Sequence, residues 1–219
     1  MPQRAAEHHR RRGWAGRKSI TQSSASHSRI VVTAGSASRP AAASASHDAG
    51  DGNAYDEGLS DGAREFIALR PGAPGAEEAV RGLLTLDGTR GQYEAGVARP
   101  ESVAPDGWTL DQHFLDLPGR KEAQVALAFD YRSNVERYGR WQAWLREHLP
   151  PTLIVWGTGD PFFPAPGARA YLRDVLDAEL HLFDTGHFAL ETHLHEIAPL
   201  VAAFLDRRVG SGNERSAYS

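Results

Sequence analysis

A chain of 219 residues, 41% apolar and 24% charged, has enough material for one medium domain with a substantial core. It contains no cysteine, which excludes disulfides, thiolate metal sites and thiol nucleophiles and fits a reducing, cytoplasmic setting. No apolar run approaches the roughly 18 residues of a membrane span, and the first residues lack the apolar stretch of a secretory signal, so a soluble protein with no membrane partner is expected.

The net charge of −4 is unevenly spread. Up to His47, seven Arg and one Lys stand against Glu7 alone, making that segment +7 and the remainder −11. Residues 1–52 are rich in Ala, Ser, Arg and Gly, and only Ile30-Val31-Val32 resembles the core of a strand. Such a segment buries too little to offset the entropy of ordering it, so it reads as low-complexity and disordered. An organelle transit peptide, a misassigned start and an out-of-frame stretch all fit the change of composition near Asp48. The basic cluster Arg10-Arg11-Arg12 with Arg17 and Lys18 has Trp14 as its one neighbouring aromatic and no recognisable fold around it, so no specific nucleic-acid partner is expected.

From 53 to 149 the pattern is helical, with loops at Pro71–Gly75 and from Arg99 to Gly107. Leu127, Tyr131, Val135, Tyr138, Trp141 and Leu145 recur three or four apart, which predicts one buried helical face with a break at Gly139. Near the start of this region, Gly58-Leu59-Ser60-Asp61-Gly62 fits the Gly-x-Ser-x-Gly pattern of a nucleophile elbow. That motif needs an apolar strand directly before it to aim the hydroxyl. Here it follows the polar Asn53-Ala54-Tyr55-Asp56-Glu57, so Ser60 reads as a loop or helix-start serine rather than a nucleophile.

After Pro150-Pro151 the rhythm becomes strand, helix, strand, helix over 150–208, followed by a flexible tail at 209–219. Thr152–Trp156 and Glu179–Phe183 are short apolar runs, joined by a crossover helix expected over Ala165–Val175, so the strands should be parallel neighbours. Each run ends in a Gly-containing turn, one carrying Asp160 and the other His187, and open α/β sheets place their chemistry at the carboxyl ends of strands. An acid and a histidine in that order are two thirds of a hydrolytic triad. The last helix is expected from Thr192 to Arg207, with Pro199 kinking it or marking its start. His181 alternates within a strand, while His193 and His195 lie two apart on a helix and point in different directions, so with Glu196 they make no metal site.

The stretches Trp156-Gly157-Thr158-Gly159-Asp160-Pro161-Phe162-Phe163 and Asp184-Thr185-Gly186-His187-Phe188-Ala189-Leu190-Glu191 resemble the carboxyl-terminal part of α/β-hydrolase-fold enzymes, particularly the epoxide hydrolase and haloalkane dehalogenase branch. The resemblance starts near Gly52 and runs to Leu205, with Trp108–Phe114 and Asp130–Val135 similar to a helical cap. It implies a partial α/β-hydrolase fold: a cap, the last two parallel strands and their flanking helices. It also implies that His187 is the base, that Asp160 orients it, that Tyr131 or Tyr138 donates a hydrogen bond to an opening epoxide, and that Phe162 and Phe188 contact substrate. No cofactor is implied.

The family's nucleophile and oxyanion loop precede the cap, and neither is recognisable upstream of Gly52. The expected function is therefore an epoxide hydrolase-like or dehalogenase-like protein, truncated and weakly active or inactive, acting on a small molecule if it acts. An interaction module that completes a sheet with another chain, a serine hydrolase using Ser60, and an incomplete gene product stay open. Two strands with an unpaired edge also predict self-association.

Overall fold

The computed structural model describes residues 30–33 and 53–213, with side chains described from 53 to 207. The sheet among these residues has three strands in the order β1-β2-β3. In it, β2 (Thr152–Gly157) lies between β1 (Ile30–Thr33) and β3 (Glu179–Phe183). As expected, β2 and β3 are parallel, from Leu153 opposite Glu179 to Gly157 opposite Phe183. The edge of β2 expected to be bare is occupied: β1 pairs with it antiparallel, Ile30 opposite Val155 and Thr33 opposite Thr152. The rest of the segment expected to be disordered lies outside the described residues.

All six residues of β2 are buried, as a central strand covered on both faces requires. The two-residue period divides its side chains between two cores. Ile154 and Trp156 pack with Tyr55, Leu145, Ala168, Tyr171 and Val175, while Leu153 and Val155 pack with Ala189, Ile197 and Phe204. Trp156 is fully buried and its indole N–H donates to the Phe163 carbonyl at 2.8 Å, so the largest side chain of the strand also pins the loop beyond it.

Among the described residues seven α-helices precede β2: α1 (Asp61–Ala68), α2 (Ala76–Leu83), α3 (Leu86–Glu94), α4 (Asp106–Leu115), α5 (Arg120–Asp130), α6 (Arg132–Val135) and α7 (Tyr138–His148). Within the loop expected from Arg99 to Gly107 a 3-10 turn forms at Pro100–Ser102, and α4 starts one residue before the loop's expected end. The stripe from Leu127 to Leu145 is divided among α5, α6 and α7, interrupted at Tyr131 and at Glu136-Arg137 and not at Gly139, which lies inside α7. Trp141 remains 38% exposed, so that face is only partly covered. Leu149, at φ 41°, ends α7 in the left-handed region before Pro150-Pro151.

The crossover expected as one helix is shorter: α8 (Pro166–Ala170) passes into a 3-10 turn at Tyr171–Arg173. Pro166 stands at its first turn, where a missing N–H costs nothing, and Gly167 packs closely against Gly58. The final helical segment, α9, runs from Ala189 to Asn213, into the segment expected as a tail, as two helices joined by a kink close to the expected start at Thr192. Its non-helical residue is His193, and Pro199 sits within the helix rather than at its start.

Candidate active site

Asp160 and His187 both lie just past strand ends on the same side of the sheet, because β2 and β3 are parallel and in register. The two loops stay joined beyond the strands: Thr158 donates its N–H to the Phe183 carbonyl at 2.8 Å and Gly159 to that of Thr185 at 2.9 Å. The His187 loop is anchored to α9 by its hydroxyls, Thr185 Oγ1 lying 2.7 Å from Thr192 Oγ1.

This framework brings the Asp160 carboxylate within 3.0 Å of the His187 ring, Oδ2 to Nδ1. The other oxygen, Oδ1, accepts the backbone N–H groups of Phe162 at 2.9 Å and Phe163 at 3.0 Å. Three N–H donors thus converge on a carboxylate whose side chain is fully buried, the charge-assisted arrangement that satisfies such a group. A carboxylate only accepts, so Nδ1 carries the imidazole proton and Nε2 is an acceptor. His187, 7% exposed, has its ring among aromatics: Phe162 and Phe188 meet it edge-on at 5.2 and 5.0 Å, and Phe163 lies more nearly parallel at 5.9 Å.

His187 lines a cavity of about 690 Å³, roofed by residues of α1, α2, α3 and α5. Phe66, Ile67, Leu83, Leu127, Ala128, Pro161, Phe162 and Phe163 give it apolar walls, and Ser60, Asp61, Gln92, Gln124 and Tyr131 supply polar groups. Of the sequence candidates, Phe162, Tyr131 and Ser60 line this cavity with His187. Tyr138 and Phe188 do not. The Tyr138 hydroxyl accepts a hydrogen bond from Asn53 Nδ2 at 3.1 Å, in a small core with Leu59 and Ala63. Phe188 stacks on Tyr93 at 4.0 Å, and Tyr93 in turn donates to Asp111 Oδ2 at 2.6 Å. Burial, then that hydrogen bond and the charges of Asp111 and Glu191, push the Tyr93 phenol above the ordinary tyrosine range.

Ser60 caps α1: its hydroxyl oxygen accepts the Ala63 N–H at 3.1 Å, and its own N–H donates to the Phe162 carbonyl at 3.1 Å. A 3-10 turn at Asp56–Gly58 precedes it, not a strand. Gln92 and Gln124 had no signal in the sequence beyond helical spacing. Among the described residues, no group of three or more His, Cys, Asp or Glu is placed to hold a metal ion, and no helix is long and apolar enough to cross a membrane.

An imidazole with one nitrogen held by a buried carboxylate, set in the wall of an apolar cavity at the carboxyl ends of two parallel strands, has its other nitrogen able to accept a proton. The family model for the α/β hydrolase fold matches residues 28–194, and the chain belongs to that family. Over 160 residues it is 36% identical to an uncharacterized hydrolase of Saccharomyces cerevisiae, an alignment covering 68% of this chain and 53% of that protein. Over 64 residues, 29% of the chain, it is 34% identical to a poly(3-hydroxyalkanoate) depolymerase of Ectopseudomonas oleovorans and 41% identical to a 2-hydroxy-6-oxononadienedioate/2-hydroxy-6-oxononatrienedioate hydrolase of Klebsiella pneumoniae. The chain spans about half the length of the yeast relative, and its matches cover 23% and 22% of the two bacterial ones.

Proposed function

We propose that the chain carries the acid, base and cap of a hydrolase that resembles epoxide hydrolases and dehalogenases, and that acts on a small, largely apolar molecule. The observation that carries this reading is the 3.0 Å bond between His187 Nδ1 and Asp160 Oδ2, with the His187 ring in the wall of the apolar cavity. Nε2 takes a proton from water, and the hydroxide equivalent attacks the ester formed on a nucleophile, or the substrate itself. Asp160 holds the tautomer and stabilises the imidazolium that forms. Helices α1 to α5 act as the cap that shapes the pocket, with Tyr131 the candidate donor to an opening epoxide oxygen; Tyr138, bonded to Asn53, has no such task.

Neither β2 nor β3 ends in a Gly-flanked Asp or Ser, and the loops beyond β2 and β3 carry the proposed acid and base instead. Acid–base assistance alone contributes about 10²–10⁴-fold, so this chain by itself is expected to turn over weakly or not measurably. A second reading, a serine hydrolase using Ser60, is favoured by one observation: Ser60 shares the cavity with His187. Against it stand the cap bond to Ala63 and the lack of a strand to aim the hydroxyl.

The test is hydrolysis of epoxide, haloalkane and simple ester substrates, with a poly(3-hydroxyalkanoate) and a 2-hydroxy-6-oxo dienedioate added because of the two bacterial relatives. Weak turnover abolished by His187→Ala and unchanged by Ser60→Ala is expected. Robust turnover lost in both variants would establish Ser60 as the nucleophile, and turnover indifferent to His187→Ala would sink the whole reading.

A further inference from the structure

We propose that the turn Ala95–Gly96, at the end of α3, is a positioning element for the Asp160–His187 pair, with Gly96 as the residue on which their placement depends. The proposal rests on the reading of those two residues as orienting acid and base.

The turn lies across both loops at their closest approach. A Cβ on Gly96 would overlap the carbonyl of Gly159, the residue before Asp160, and would stand 3.2 Å from the Cα of Gly186, the residue before His187. The converse holds from the other side: a Cβ on Gly159 would meet the Gly96 carbonyl oxygen, and one on Gly186 would meet that of Ala95. Three backbones therefore meet with no side chain between them, at the residues immediately preceding the acid and the base. The φ of +76° at Gly96 restricts that position further, since other residues adopt it only with strain. Gly96 is itself exposed, so filling a core is not its task.

A second contact from the same helix supports the same two loops. Tyr93 stacks on Phe188 at 4.0 Å and meets Trp108 edge-on at 5.9 Å, in a cluster with Val103, and Phe188 packs edge-on against the His187 ring at 5.0 Å. The end of α3 thus fixes the His187 loop from both sides of the histidine, through Gly186 before it and Phe188 after it. It touches the acid loop as well, so one element sets the separation of the pair. Backbone carbonyls have no rotamer to yield, and a bulky neighbour there must move a loop rather than a side chain.

The readout is the far-downfield Nδ1 proton of His187 in the NMR spectrum of the full chain, assigned by its disappearance in His187→Ala. Gly96→Ala is expected to remove or broaden this signal. Two controls should keep it: Gly72→Ala, which has a φ of +79° and open space around it, and Gly91→Ala, on α3 with nothing within 4 Å. Where turnover is measurable, kcat of Gly96→Ala should fall on the order of 10²-fold with KM unmoved. A folded Gly96→Ala that keeps the wild-type signal overturns the proposal. Should Gly96→Ala not fold, Tyr93→Leu set against Tyr93→Phe decides: loss of the signal in the first and recovery in the second supports the role, and retention in both overturns it. Absence of the signal from the wild type would overturn the hydrogen-bonded pair itself, and with it the proposed function. The failure of one reading is thereby told apart from the failure of the other.

Discussion

The strand region after Leu149 and the helical region before it are held together by different means. Around β2 the contacts are apolar and close to complete: Leu153, Ile154, Val155 and Trp156 are each at most 1% exposed, and the loops beyond the strands are joined by backbone hydrogen bonds. The helices rely much more on polar side chains that reach across the sequence. Thr89 donates to Gln112 Oε1 at 3.0 Å, Tyr93 to Asp111, Asn53 to Tyr138, and Gln142 to the Ala54 carbonyl at 2.7 Å. The difference separates two tasks. Backbone and packed hydrocarbon hold Asp160 and His187 beyond the strands, while the helices are held to one another by pairs of polar side chains.

The largest effect should come from Trp156→Ala, which empties the centre of the strand region and removes the bond to Phe163. A loss of about 3–5 kcal/mol is expected in denaturant unfolding. Next, Thr89→Val leaves the buried Gln112 carbonyl short of a donor and should cost about 1–3 kcal/mol, with the His187 signal intact. A neutral result would mean that the helices are not held by their polar pairs. A smaller, pH-dependent effect follows from Tyr55, whose phenol is pushed above its usual range by burial and by its hydrogen bond to Asp174. A pKa raised in the folded state gives stability that is complete below the unfolded value, near 10, and lost as pH climbs above it. Alkaline unfolding should therefore steepen by about 1 kcal/mol per pH unit, and Tyr55→Phe should flatten that slope. Smallest is Ser60→Ala, a lost helix cap worth about 1 kcal/mol, measured as a shift of the midpoint with the m-value unchanged.

The same contrast governs what could be read in the sequence. Asp160 and His187 were legible because each follows a run of five or six residues whose burial pattern is local, and a glycine turn punctuates both. The stripe from Leu127 to Leu145 shows where that reasoning stops. Spacing identified Tyr138 and Leu145 as buried, but not the interruptions at Tyr131 and Arg137, because what stabilises them lies far off: the Tyr131 ring against Phe163, and the Tyr138 hydroxyl against Asn53, 85 positions away. The strand at Ile30–Thr33 was hinted at by the apolar run Ile30-Val31-Val32, yet so short a run names no partner. Gly96 carried no signal at all, since its neighbours Gly159 and Gly186 are close only in space.

The bond between Thr185 and Thr192 turns the segment around His187 into a small closed ring. The entropy of closing so short a loop has little room to grow or shrink, and each added residue would have to leave the ring or strain it. Length, rather than composition, is then what this segment cannot vary. Insertions should be tolerated among the surface turns of the helices and rejected between these two threonines, so an insertion scan would draw the outline of the His187 segment from the positions where the fold will not stretch.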